Sequence, residues 1–180
     1  MIRILKKVAL VIAVLIVAVL AYATTKPDTL RVERSTSIQA PPDAIRPLVD
    51  DFHQWTAWSP WEKRDPALQR TFSGAPKGKG AVYEWNGNND VGQGRMEVLD
   101  SNPSKVAIKL DFIKPFEGHN TTEFRFDPSG SATNVTWTME GPSNYMGKVM
   151  AVFIDMDKMI GDDFAAGLAS MKSVAESKKM

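Results

Sequence analysis

The chain changes its hydrophobic period once, and that change constrains its fold more than any single motif. Over residues 30–140 apolar and polar residues mostly alternate, which is the pattern of strands with one dry face and one wet face. Over residues 143–177 the step lengthens: Met146, Val149, Met150, Phe153, Met156, Ile160, Phe164, Leu168, Met171 and Ala175 recur by threes and fours along one helical stripe. A half-dry sheet must be covered, and this terminal stretch is the one amphipathic element long enough to cover it. The expectation is a sheet curved around a C-terminal helix. Gly147, Gly161 and Gly167 argue against one unbroken rod. We therefore expect a short helix, a joint near residues 154–156, and a long final helix capped by Asp155 or Asp157.

Within the alternating region the strands are expected at residues 30–38, 69–73, 81–86, 94–100, 105–112, 119–127 and 131–140. Their inward faces would carry Tyr83 and Trp85, then Met96, then Ile108, Leu110 and Phe112, then Phe124, and finally Trp137 and Met139. Short turn-rich connections make neighbouring strands antiparallel. Ala40-Pro41-Pro42 ends the first strand. Residues 43–51 have helical spacing, with Pro47 tolerated only if the helix starts near Pro42 or Asp43. Trp55, Trp58 and Trp61 then follow at a spacing of three, either as a corner packed on the sheet or as an aromatic rim at the mouth of a cavity.

The N-terminus stands apart. Arg3, Lys6 and Lys7 precede an uncharged apolar run over residues 8–23, which would hold that end in the cytoplasm and place the rest of the chain outside, in the periplasm of a Gram-negative cell. The run reaches ~24 Å as a helix, a little short of a ~30 Å hydrocarbon core, and Ile4 and Leu5 extend it. Residues 1–25 thus read as a membrane anchor or, because Ala21-Tyr22-Ala23 has the small-x-small form of a cleavage site, as a signal removed near Ala23. Residues 26–29 are a linker and residues 30–178 a single domain outside the membrane, with the anchor taking no part in its fold.

Several kinds of chemistry lack their residues. Without the three N-terminal basic residues the chain is slightly acidic, so nothing favours nucleic acid. It has no cysteine, which removes thiol nucleophiles and thiolate metal sites. His53 and His119 fall in different elements and in no metal-binding spacing, so no metal and no cofactor is expected. Asp155, Asp157, Asp162 and Asp163 cluster near the final helix, where capping and solvation compete with acid–base work. No catalytic residue is assigned. The methionines of the final stretch suit either ordinary core packing or a wall that adapts to varied ligands.

Six segments taken in order carry a resemblance: Arg31-Val32-Glu33-Arg34-Ser35, Ala40-Pro41-Pro42, residues 55–62, residues 78–85, Gly92-Gln93-Gly94 and residues 161–168. Together they resemble the polyketide cyclase/dehydrase-like branch of the START-like (SRPBCC) superfamily, whose members often carry a similar apolar N-terminal segment. The resemblance implies an α+β helix-grip fold, in which a curved antiparallel sheet of about seven strands wraps a long C-terminal helix and leaves a deep apolar cavity.

The reading that follows is a membrane-tethered module binding a hydrophobic or amphipathic small molecule, lipids included. The expected walls are the inward strand residues named above together with Met150, Phe153, Ile160 and Phe164, with Trp58 and Trp61 near the mouth. A cyclase- or dehydratase-like enzyme is the first alternative and an interaction domain with a filled cavity the second. Among the inward residues only Tyr83 is ionisable, which weighs toward binding.

Overall fold

A computed structural model describes residues 2–177, so the expected outer bounds at positions 1 and 178 lie outside the described residues. Helix α1, Ile2–Ala23, is apolar and exposed along almost its whole length, and Arg3–Ala23 is long and apolar enough to cross a membrane. Strand β1, Thr29–Ile38, follows the linker and is stopped by Ala40-Pro41-Pro42. The single helix expected over residues 43–51 is instead two separate turns, α2 Pro42–Ile45 and α3 Pro47–Asp50. The cause is Pro47, which has no N–H to continue the ladder across the junction. Two 3₁₀ turns, Phe52–Ala57 and Trp61–Lys63, form the tryptophan corner.

The remaining strands are β2 Gln69–Gly74, β3 Ala81–Asn86, β4 Gln93–Asn102, β5 Lys105–Lys114, β6 Gly118–Ser129 and β7 Ala132–Pro142. They make one seven-stranded antiparallel sheet in the order β1-β7-β6-β5-β4-β3-β2. Register shifts between β4 and β5 near Gln93/Gly94 and Val98/Asp100 mark irregularities that add bend and twist.

The joint expected near residues 154–156 separates α4, Tyr145–Phe153, from α5, Met156–Ser177. Asn144 caps α4 by accepting from the Gly147 N–H at 2.8 Å, and Asp155 caps α5 by accepting from the Lys158 N–H at 2.9 Å. Along α5 the apolar stripe is buried at Phe164, Leu168, Met171 and Ala175, mainly against β1. In α4 the same spacing buries nothing: Met146 is 61% and Phe153 71% exposed. The two helices differ because α5 lies on the sheet, whereas α4 packs beside α1.

That contact is made near the C-terminal end of α1, which is otherwise exposed. The Tyr145 hydroxyl donates to the Leu20 carbonyl at 3.0 Å, and Lys148 pairs with Asp28 in the linker.

The inner face of the sheet is divided lengthwise. At one end Ile38, Val106, Ile108, Phe124, Phe126 and Val135 are buried together with Leu168, Met171 and the α2–α3 residues Ile45, Leu48 and Val49. Toward the other end the strands carry Leu110, Phe112, Asn120 and Met139, and there the space between sheet and helices is not filled.

Candidate functional site

The unfilled end is a cavity of about 1060 Å³. That is at the upper limit of the ~300–1,000 Å³ usual for small-molecule sites. Tyr83 and Trp85 from β3, Met96 from β4, Leu110 and Phe112 from β5, and Trp137 and Met139 from β7 line it on the sheet side. Trp61 closes the corner, and Met150, Ile160 and Phe164 face in from the helices.

Local chemistry fixes the two largest walls. Trp85 lies across Gly94, its neighbour in register on β4, so closely that a Cβ at position 94 would come within 2.3 Å of the ring. Trp137 is held by a relay in which its indole N–H donates to the Thr122 hydroxyl at 2.8 Å, and that hydroxyl donates to the Thr138 carbonyl at 2.8 Å. Held there, Trp137 stacks on Phe164 with centroids 3.9 Å apart and planes 5° from parallel, and on Phe124 at 4.7 Å. The Trp137–Phe164 pair is the partition between cavity and core.

Four residues expected on the walls lie elsewhere. Ile108 and Phe124 are on the inward face but at its filled end, fully buried behind the partition. Trp58, expected at the mouth, is also fully buried, its indole N–H donating to the Leu48 carbonyl at 2.7 Å. Trp55, which the spacing places in the same corner or rim, lines the cavity where Trp58 does not. Phe153, expected to face inward, is exposed at the end of α4 and does not line the cavity.

The cavity also holds a polar group that inward-face counting missed. Glu62 is 6% exposed in its side chain, accepts from the Tyr83 hydroxyl at 2.6 Å and pairs with Arg70 at 2.6 Å. Burial, and then the adjacent Glu62 carboxylate, push the Tyr83 phenol well above its ordinary range, so it stays protonated and donates. The one hint in the sequence is an acid set directly after Trp61 in an aromatic run.

The four aspartates near the final helix separate by role. Asp155 caps α5, Asp157 pairs with Arg34 at 2.9 Å, and Asp162 pairs with Lys158 at 2.7 Å. Asp163 pairs with Arg64, and of the four it alone borders the cavity. The Arg34 hydrogen bond holds the Asp157 carboxyl below the usual carboxylate range. His53 stacks on Phe72 at 4.2 Å beside a separate cavity of about 200 Å³, while His119 bonds Asp111 at 2.8 Å on another strand pair. Among the described residues no group of three or more histidine, aspartate and glutamate side chains is placed to hold a metal ion.

The family model described as polyketide cyclase / dehydrase and lipid transport matches residues 29–176. No curated protein matches the chain. Solved structures with the same fold include the Zhui aromatase/cyclase from Streptomyces sp. R1128, at 14% identity and TM-score 0.62, covering 84% of this chain and 96% of that one. The Aha1 dimer from Colwellia psychrerythraea gives 15% identity and TM-score 0.59, covering 82% and 96%. Protein Ms6760 from Mycobacterium smegmatis gives 16% identity and TM-score 0.58, covering 85% and 95%. At such identities the likeness is one of fold.

Proposed function

Because this chain belongs to the polyketide cyclase / dehydrase and lipid transport family, we propose that it binds a hydrophobic or amphipathic small molecule of lipid-like class in the cavity between sheet and helices, on a domain tethered to a membrane and held outside the cytoplasm. The observation that carries this reading is the cavity itself. Its volume suits a molecule of several tens of heavy atoms, and its walls are mostly aromatic, aliphatic and thioether groups with few fixed polar partners. Glu62 and Tyr83 supply a buried polar station on one wall, beside further polar lining at Asn120 and the Arg64–Asp163 pair, and suit a hydroxyl or carbonyl of a largely apolar ligand.

The tether is α1. Its basic residues precede the apolar segment, and positive charge is retained on the cytoplasmic side, so the domain following Lys26 is expected on the other side. A reporter that fluoresces only in the cytoplasm, fused after the last residue, stays dark under this reading; a bright fusion overturns it.

Binding is tested by purifying the full chain from membranes, extracting whatever co-purifies, and identifying it by native mass spectrometry. Recovery of a stoichiometric apolar molecule that Trp137→Asp no longer retains supports the reading, since an uncompensated charge there is buried in an apolar wall. A folded protein that carries nothing and takes up no apolar dye overturns it.

One observation favours the cyclase- or dehydratase-like alternative: the Tyr83–Glu62–Arg70 set places a protonated phenol and a carboxylate 2.6 Å apart at a cavity wall. If Glu62→Gln abolishes turnover of an identified substrate while its binding is unchanged, the enzyme reading replaces the binding one.

A further inference from the structure

The mouth of the cavity is bordered by large apolar side chains that the domain leaves uncovered. Phe116, in the turn between β5 and β6, is 65% exposed, Met146 on α4 is 61% and Met159 on α5 is 50%, and all three belong to the cavity rim. Phe153, at 71%, continues the patch along α4. Single exposed apolar residues are ordinary on a soluble surface, but a group gathered at one opening marks an interaction site.

The covalent geometry says what covers it. Lys26 and Pro27, directly after the membrane-length helix, also line the cavity, so the mouth lies at the point where the chain leaves α1. The Tyr145 hydroxyl reaches the Leu20 carbonyl, within the last turn of that helix and therefore within ~5 Å of its end. A tyrosine at that depth lies at the level of the lipid headgroups, where its amphipathic ring is favoured. The only charged residue of α4 is Lys148, whose side chain is 13% exposed and turned onto Asp28 of the linker. The outward side of α4 therefore presents tyrosine, methionine and phenylalanine without an exposed charge, as a helix lying in a membrane interface does.

We propose that α4 and Phe116 dock on the surface of the bilayer that α1 spans, setting the cavity mouth at the lipid headgroups. The proposal rests on α1 being a retained membrane span and deepens the binding function by making the lipid phase the source of the ligand.

The chain has no cysteine, so single labels carry no background. Phe153→Cys, Phe116→Cys and, at the opposite end of the sheet, Ser129→Cys are each labelled with an environment-sensitive fluorophore, and the full-length protein is reconstituted in phosphatidylcholine vesicles containing a nitroxide-bearing phospholipid. Docking gives at least a two-fold greater quenching and a blue-shifted emission at positions 153 and 116 relative to position 129. Equal quenching at all three positions in protein that floats with the vesicles overturns the docking while leaving the tether intact. Protein that does not float with them overturns both the tether and the docking. Apolar dye uptake by the same samples in detergent reports the cavity separately, so loss of the binding function is distinguishable from loss of docking.

Discussion

The two ends of one sheet face behave differently although the same alternation produces both. At the core end Ile108, Phe124, Phe126 and Val135 are buried together with Leu168, Met171 and the α2–α3 residues. At the cavity end Leu110, Phe112 and Met139 occupy equivalent inward positions on the same strands and face an unfilled space. The difference comes from what lies opposite. The core end is plugged by two helical turns and the tryptophan corner, while α4 at the other end leans away from the sheet toward α1. A dry face is thus a property of the strand, and a cavity is a property of its cover.

The largest test of this contrast compares truncations on the two sides of the Trp137–Phe164 partition. Phe126→Ala and Leu168→Ala should each lower unfolding free energy by about 2–5 kcal/mol, because each removes fully packed atoms. Leu110→Ala should cost about 1 kcal/mol or less, since much of its surroundings is already open. Urea unfolding at constant m-value measures all three. A Leu110 variant as unstable as the other two would mean that the cavity is filled in solution.

Two smaller effects probe how the cavity walls are held. Gly94→Ala should cost about 1–3 kcal/mol by driving Trp85 off its bed, and should reduce dye uptake because the displaced ring enters the cavity. Thr122→Val leaves the buried Trp137 N–H without its acceptor, for a loss of about 1–3 kcal/mol, and tryptophan fluorescence should report the freed ring.

The weakest effect lies on the wet face at the cavity end. The Asp111 hydrogen bond raises the His119 pKa above its ordinary value. A raised histidine stabilises fully below its unfolded-state pKa, and this contribution fades as the pH rises through the folded value. Titration by NMR should therefore place His119 above 6.5, and Asp111→Asn should return it toward that value.

Most of the fold is legible in the sequence because alternation and helical spacing are local properties. The seven strands lie within two residues of where their periods place them, as does the joint between α4 and α5. The cavity is less legible. Leu110 and Phe112 line it while Ile108, two residues away on the same face, does not, and no feature of residues 105–112 distinguishes them. Trp58 could not be told from Trp61 for the same reason, because their separation depends on where α3 delivers the Leu48 carbonyl that Trp58 binds. Phe153 fits the stripe in sequence yet leaves it in space, since a break between two helices resets the phase of the second. Glu62 escaped notice because it sits in a 3₁₀ turn, outside any strand period.

The pairing of β1 with β7 has a further consequence, for the order of events in folding. Residues 29–38 find their ladder partners only at residues 133–142, and their principal helical cover only in α5. The first strand to be synthesised therefore has no partner until the last strand exists, and its loop-closure entropy must be met before any of its contacts form. The hairpins from β2 to β7 can form from neighbours in sequence, but the sheet cannot gain its β1 edge before then. A chain ending before residue 132 should retain local hairpins and leave β1 as an unpaired, aggregation-prone strand.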